Sequence, residues 1–356
     1  MKRRNINNTI YYFIILLLII LIISIFKYNI ENFQVNESYD IFIIAGQSNA
    51  IGRGTRNTIA NYYGSDPINN PTDDAANNNI KQYNNNATIV NALHPIPHLE
   101  GFNNRSSPVV LNGPLTGSST NNCNKVGFGL TFAKKYLQLY RNKSNPKVLL
   151  VGCGYGGTGF GYASKSRPLW WDPTDNNNYR FSDGSVGKVS SLYLYTIQKL
   201  REMKNVVGAN SKVKGILWLQ GETNAENNDP NYNSKIQTLF TNLRTTIATL
   251  FPTSGTVPIL MGGLCPDNYR NRVTGVITPN SYKTMSDLIQ NTIVPSIPNC
   301  RFVSTEPTPT FPTYLQGDAQ MNASGNIVAQ NQQNIHYSAT SLRELGKRYF
   351  SIFNTI

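Results

Sequence analysis

Charge is scarce in this sequence: only 14% of its 356 residues are Asp, Glu, Lys or Arg, and bases outnumber acids by 32 to 19. Amides take over the solubilising role in loops such as "DDAANNNIKQYNNNAT". The formal net charge of +13 is scattered, with no Lys/Arg run interleaved with aromatics, so nucleic acid is not expected as a partner. Histidine occurs three times, and the four cysteines never form a C-x-x-C pair. That excludes the usual zinc spacings, and neither a metal nor another cofactor is expected. Internal repeats are absent. With 40% apolar residues the chain is long enough to bury a large core.

What is present begins with "MKRRNINNTIYYFIILLLIILIISIFKYNIENF". Three cations, Lys2, Arg3 and Arg4, precede an apolar run over 10–26, close to the shortest segment that spans a bilayer, about 17 residues. No A-x-A cleavage pattern follows it, so the expectation is an uncleaved signal anchor rather than a signal peptide. The organisation expected is then a cytosolic basic tail over 1–9, a transmembrane helix over 10–26, a linker over 27–39 and a globular domain over 40–356. The positive-inside tendency puts the N-terminus in the cytosol and the globular domain in the lumen or outside the cell. Sequons at Asn36, Asn86, Asn104, Asn142 and Asn322 fit that compartment. Cys123, Cys153, Cys265 and Cys300 are an even set, open either to disulfides in one of three connectivities or to burial as free thiols.

From Asp40 onward, short apolar runs alternate with helical patterns. The runs 41–45, 147–151, 213–219, 258–261 and 301–304 predict five parallel strands buried on both faces. Segments starting at Gly129, Val186, Asn231, Ser281 and Ser338 repeat apolar residues at three and four, as amphipathic helices do, and Ser338 is placed to cap the last. The fold expected is a three-layer α/β/α, flavodoxin-like domain. Long loops are expected over 55–125 and 305–335.

Ligands of open α/β sheets sit beyond the carboxyl ends of the strands, so the residues just after each strand carry the chemistry. After the first comes Gly46-Gln47-Ser48-Asn49; after the second, Gly152-Cys153-Gly154-Tyr155-Gly156-Gly157; after the third, Gln220-Gly221-Glu222-Thr223-Asn224. Ser48 at a strand-to-helix turn has converging N–H groups nearby, suited to an oxyanion, although a helix-capping serine reads the same way. "GCGYGGTG" matches a dinucleotide fingerprint, but Pro168 and Pro173 follow where a helix is required, so the glycines are read as letting an N–H approach a substrate oxygen. His336, just before the last helix, is the candidate base, because imidazole titrates near neutrality. His94 and His98, in "HPIPH", are expected to be inert residues of a surface loop. Trp170, Trp171, Tyr155 and Phe160 are read either as a sugar-stacking surface or as core aromatics.

"GQSNAIGRG", "VGFGLTFAKKYL", "GYGGTG", "LWLQGETNA" and "IHYSATSLRELGKRY", in this order, resemble the SGNH-hydrolase superfamily, in particular the sialate O-acetylesterase-like branch that includes carbohydrate esterase family six. The resemblance runs from about residue 40 to 352. It implies Ser48 as nucleophile, His336 as base, and oxyanion N–H groups from Ser48 and from Gly156 or Gly157. A pocket formed by Gln47, Asn49, Gln220, Gly221, Glu222 and Asn224 follows as well, and the substrate would be an acetylated glycan. A lipase or thioesterase on the same scaffold is disfavoured, since the motifs lean to the carbohydrate branch. Two positions depart from the family. Gln333 stands where the aspartate that orients the histidine is expected, and Asn224 stands where a carboxylate is common. Losing the triad carboxylate lowers turnover by roughly 10⁴ in serine proteases. Gln333 is therefore expected to orient the imidazole through its amide oxygen, with Glu222 and Asp318 as the other carboxylates in question. The alternative implied by this loss is a catalytically impaired glycan-binding or surface-structural protein.

Overall fold

The computed structural model describes residues 12–21, 37–55, 74–84, 87–94, 96–99, 125–144, 146–161, 169–173, 178–180, 186–188, 190–271, 274–317 and 335–356. Ser38–Ile356 is one compact unit, separate from residues 1–37. In the latter, 12–21 are helical. Among the described residues no helix is long and apolar enough to cross a membrane, and the remainder of the expected span, 10–11 and 22–26, lies outside them.

The main sheet has seven strands: β1 (Asp40–Gly46), β2 (Ile80–Tyr83), β3 (Ile89–Asn91), β4 (Val148–Gly152), β5 (Lys212–Leu219), β6 (Ile259–Gly262) and β7 (Cys300–Val303). They lie in the order β7-β6-β5-β1-β4-β2-β3, all parallel except β3, which runs antiparallel to β2 at one edge. The five strands expected from the sequence are all parallel neighbours, each within one residue of its expected bounds, in the doubly wound order of flavodoxin-like sheets. The count of five is corrected to seven. The segment 55–125, read as a loop, supplies β2 and β3, whose polar residues (Lys81, Gln82, Asn91) hide the apolar run that marked the other strands.

Helices follow the strands: α1 (Ser48–Ile51), α2 (Gly129–Ser144), α3 (Leu192–Lys204), α4 (Glu222–Glu226), α5 (Tyr232–Leu250), α6 (Ser281–Leu288) and α7 (Ala339–Phe353). Ser338 caps α7 by accepting from the Ser341 N–H, and Asn280 caps α6 in the same manner. The helix expected from Val186 starts six residues later. Ser191 is its N-cap, and Val186–Lys188 instead pair with Asn178–Arg180 as a short antiparallel ribbon.

Strand β1 explains why both layers hold. Its alternate side chains Ile41, Ile43 and Ala45 pack with Leu200, Ile236 and Phe240 of α3 and α5, whereas Phe42 and Ile44 face Phe132, Tyr136, Leu345 and Phe353 of α2 and α7. Phe42 is surrounded edge-on by Phe132 at 4.7 Å, Tyr136 at 4.9 Å and Phe353 at 5.3 Å between ring centroids. Beyond it the chain must turn within one residue. Gly46 has φ +132°, and a Cβ there would lie 2.0 Å from the Leu219 carbonyl oxygen of β5. Phe42→Ala is expected to lower stability by about 3–5 kcal/mol, read from urea unfolding of the purified chain.

Candidate active site

Sheet order places the reacting groups. The chain leaves β1 toward β4 on one side and β5 on the other, so the turns after these three strands converge where such sheets bind ligands. Ser48 is the first residue of α1, and its turn is tied to β5 by the Gln47 N–H to the Leu219 carbonyl, 3.0 Å. His336 comes from the far end of the chain, just ahead of α7. Its Nε2 lies 3.0 Å from Ser48 Oγ, across 288 positions of sequence.

The histidine is held through its backbone. Asn49, fully buried beside Ser48, donates from Nδ2 to the Ile335 carbonyl (2.7 Å) and accepts at Oδ1 from the Tyr337 N–H (3.0 Å). One amide thus clasps the chain on both sides of His336. The same Nδ2 donates to Glu222 Oε1 at 2.6 Å, and the Tyr337 hydroxyl donates to the Gly263 carbonyl at 2.7 Å. Burial, then the nearby charges of Arg53 and Lys125, push the His336 pKa down to about 4. The ring is therefore uncharged at neutral pH.

Glu222 opens α4, with Gly221 at φ +152° as its N-cap. Only 1% of the residue is exposed. Burial raises its pKa to about 7 against the opposing hydrogen bond from Asn49, and Oε2 has no hydrogen-bond partner among the described residues. Gln220, two residues earlier, donates from Nε2 toward Asn224 Oδ1 (2.8 Å), Gln47 Oε1 (3.3 Å) and the Thr158 carbonyl (3.3 Å), linking the three strand-end turns. Asn224 explains its own departure from the family pattern. Its Oδ1 accepts from Gln220 and from the Phe160 N–H, while Nδ2 donates to the buried Asp229 at 2.7 Å. A carboxylate at 224 would face Asp229 with no proton to offer. Gln47, Asn49, Gln220, Glu222 and Asn224 are all nearly or wholly buried, Asn49 bonded to Glu222 and Gln220 to both Gln47 and Asn224.

The glycine turn after β4 is the third wall. The Cys153 N–H goes to the Ile44 carbonyl (2.7 Å) and the Tyr155 N–H to the Gly46 carbonyl (3.0 Å). Gly156 is buried, and Gly157 is exposed with φ +67°. Gln333 and Asp318 lie outside the described residues.

Several expectations are corrected. His98 is buried, not a surface residue, and its Nδ1 accepts the Gly154 N–H at 2.9 Å. Burial, then the charges of Lys199 and Arg53, push its pKa to about 3. His94 is also buried: Nδ1 accepts from the Gly127 N–H (3.4 Å), and Nε2 lies 3.4 Å from Asp74 Oδ1. Asp74 in turn pairs with Arg343 of α7 at 3.0 and 2.8 Å. Burial pushes the Asp74 carboxyl up, yet His94 and Arg343 together hold it well below the usual carboxylate range. Trp170, Trp171, Tyr155 and Phe160 are core residues, Trp171 meeting Trp218 edge-on at 4.9 Å. Of the two fates left open for the cysteines, burial outside a disulfide is the one seen for Cys153, Cys265 and Cys300, and Cys123 lies outside the described residues. Sequence reasoning did not single out Arg53 or Lys125. Nothing in their spacing marks them, because the pairing of 54–55 with 125–126 is what brings the two segments together, and both charges then act on His336.

No curated protein matches this chain. Among solved structures it is similar to NanS, at 16% identity and a TM-score of 0.58, with 90% of this chain and 98% of that one covered. It is also similar to a protein from Arabidopsis thaliana, at 19% identity and a TM-score of 0.52, covering 88% and 97%. At such identities these likenesses speak for the fold alone. The family model described as carbohydrate esterase, sialic acid-specific acetylesterase matches residues 38–355. The chain therefore belongs to that carbohydrate esterase family and is a carboxylic ester hydrolase by membership.

Proposed function

We propose that the chain is a membrane-anchored serine esterase that removes acetyl groups from carbohydrate, whether sialic acid or a polysaccharide, without a metal or cofactor. The observation that carries the reading is the 3.0 Å approach of His336 Nε2 to Ser48 Oγ. In this mechanism Ser48 Oγ attacks the acetyl carbonyl as His336 takes its proton, and the tetrahedral oxyanion is received by the N–H groups of Ser48 and of Gly156 or Gly157. His336 then protonates the departing sugar hydroxyl. Water, deprotonated by the same ring, attacks the acetyl-serine carbonyl, and the ring returns that proton to the departing Oγ, releasing acetic acid and restoring the Ser48 hydroxyl. Asn49, Glu222, Gln220, Gln47, Gly221 and Asn224 hold the turns in register. The second reading, a glycan-binding protein of impaired activity, is favoured by Gln333 at the position of the family's aspartate.

Hydrolysis of an acetyl ester by the purified chain should fall at least about 10³-fold in Ser48→Ala. Equal rates in parent and variant would end the esterase reading, and retained binding of acetylated glycan in that case would favour the second one. Since His336 acts as a neutral base with a pKa of about 4, kcat/KM should rise through that pH and level off above it, and Arg53→Gln should move this limb upward. Glu222 titrates at about 7, so the profile is taken in Glu222→Gln as well to separate the two inflections. An acid limb at the ordinary histidine value in the parent would contradict the lowering of the His336 pKa by burial, Arg53 and Lys125. The anchor rests on Lys2, Arg3 and Arg4 ahead of the apolar run 10–26, and the full chain should stay in the membrane pellet after an alkaline wash.

A further inference from the structure

The turn between β4 and the two candidate oxyanion glycines is fastened at each of its first residues. The Gly152 carbonyl accepts from the buried Lys199 Nζ at 2.7 Å, the Cys153 N–H goes to Ile44 and the Tyr155 N–H to Gly46. Between the last two, the Gly154 N–H points into the protein, and its acceptor is a side chain brought from the segment 96–99, His98 Nδ1 at 2.9 Å. The ring lies directly on the turn. A Cβ on Gly152 would come within 2.9 Å of His98 Cγ and Nδ1 and 2.3 Å of the Pro97 carbonyl oxygen, and one on Gly154 within 3.1 Å of Nδ1. The G-x-G spacing, which the sequence offers as a false dinucleotide fingerprint, is thus the imprint of a histidine seated against two missing side chains.

The N–H groups of 153, 154 and 155 are taken by Ile44, His98 and Gly46, and the esterase reading assigns the oxyanion donor of this turn to Gly156 or Gly157. Their position is set by how the preceding three residues are held. We propose that His98 is a positioning residue for the reaction: by accepting the Gly154 N–H through Nδ1 and filling the space over Gly152 and Gly154, it aims the following N–H groups at the oxyanion. The role rests on the esterase reading above. It requires Nδ1 to be bare and Nε2 to carry the proton. Lys199 and Arg53, the charged groups that act on this ring, both disfavour a second proton.

The test compares kcat and KM on an acetyl ester for the parent, His98→Asn, His98→Gln and His98→Leu, each checked for a cooperative thermal transition. The Asn carbonyl oxygen falls where Nδ1 sits, whereas the Gln oxygen reaches the place of Nε2. Asn should keep kcat within about fivefold, while Gln and Leu should lose about 10²-fold in kcat with KM nearly unchanged, the cost of a misaligned oxyanion donor. Should Leu fail to fold, Gln carries the comparison. Asn falling as far as Gln and Leu, or Leu or Gln keeping the parental kcat, overturns the proposal. Spectra of the full chain carrying 15N-histidine should show His98 with an unprotonated Nδ1 from pH 5 to 8, and a protonated Nδ1 would also overturn it. A parent no faster than Ser48→Ala would be a failure of the esterase reading instead, and the spectra would still report on His98.

Discussion

A single primary amide governs the geometry of this site. Asn49 has two donors and one acceptor oxygen on a short, fully buried side chain, and it spends them on the backbone at 335 and 337 and on Glu222. Because the clasp grips main chain, it fixes where His336 starts without touching the imidazole. The ring meets Ser48 through its Nε2. Burial makes the hold strong, because a buried amide left without these partners would cost about 1–3 kcal/mol.

The rest of the site is built the same way. Gln220, Gln47, Asn224 and Asp229 form a connected set of amides and one carboxylate that joins the ends of β1, β4 and β5. Such a network is stabilising only when each member finds its partners, and Asn224 shows the constraint at work. It must donate to Asp229 and accept from Gln220 at once, which an amide does and a carboxylate does not. The scarcity of charge in the whole sequence has a local counterpart here, in a site framed by amides.

Much of the fold was legible because β1, β4, β6 and most of β5 are apolar on both faces, and that pattern survives without any partner in view. β2 and β3 were not legible, since Lys81, Gln82 and Asn91 break the run and only pairing with β4 makes a strand of Ile80–Tyr83. Ser48 and His336 were singled out by their places after a strand and before a helix. The support beneath them was not. His98 looks like a loop histidine in "HPIPH", and its burial depends on Gly152 and Gly154 more than fifty residues onward. Arg53 and Lys125 acquire meaning only when their short strands pair. Residues that act through a neighbour distant in sequence leave a mark on the neighbour, here an absent side chain, rather than on themselves.

The distance along the chain between Ser48 and His336 bears on the protein's biosynthesis. β1 emerges from the ribosome before both its sheet partners, β4 and β5, and the Asn49 clasp waits for residues 335 and 337. Long-range pairing of this kind is slow, and the central strand is uncovered until it is satisfied. A nascent or truncated polypeptide that stops short of residue 337 would hold the nucleophile without its base, so the pair comes into being only after that segment has been made.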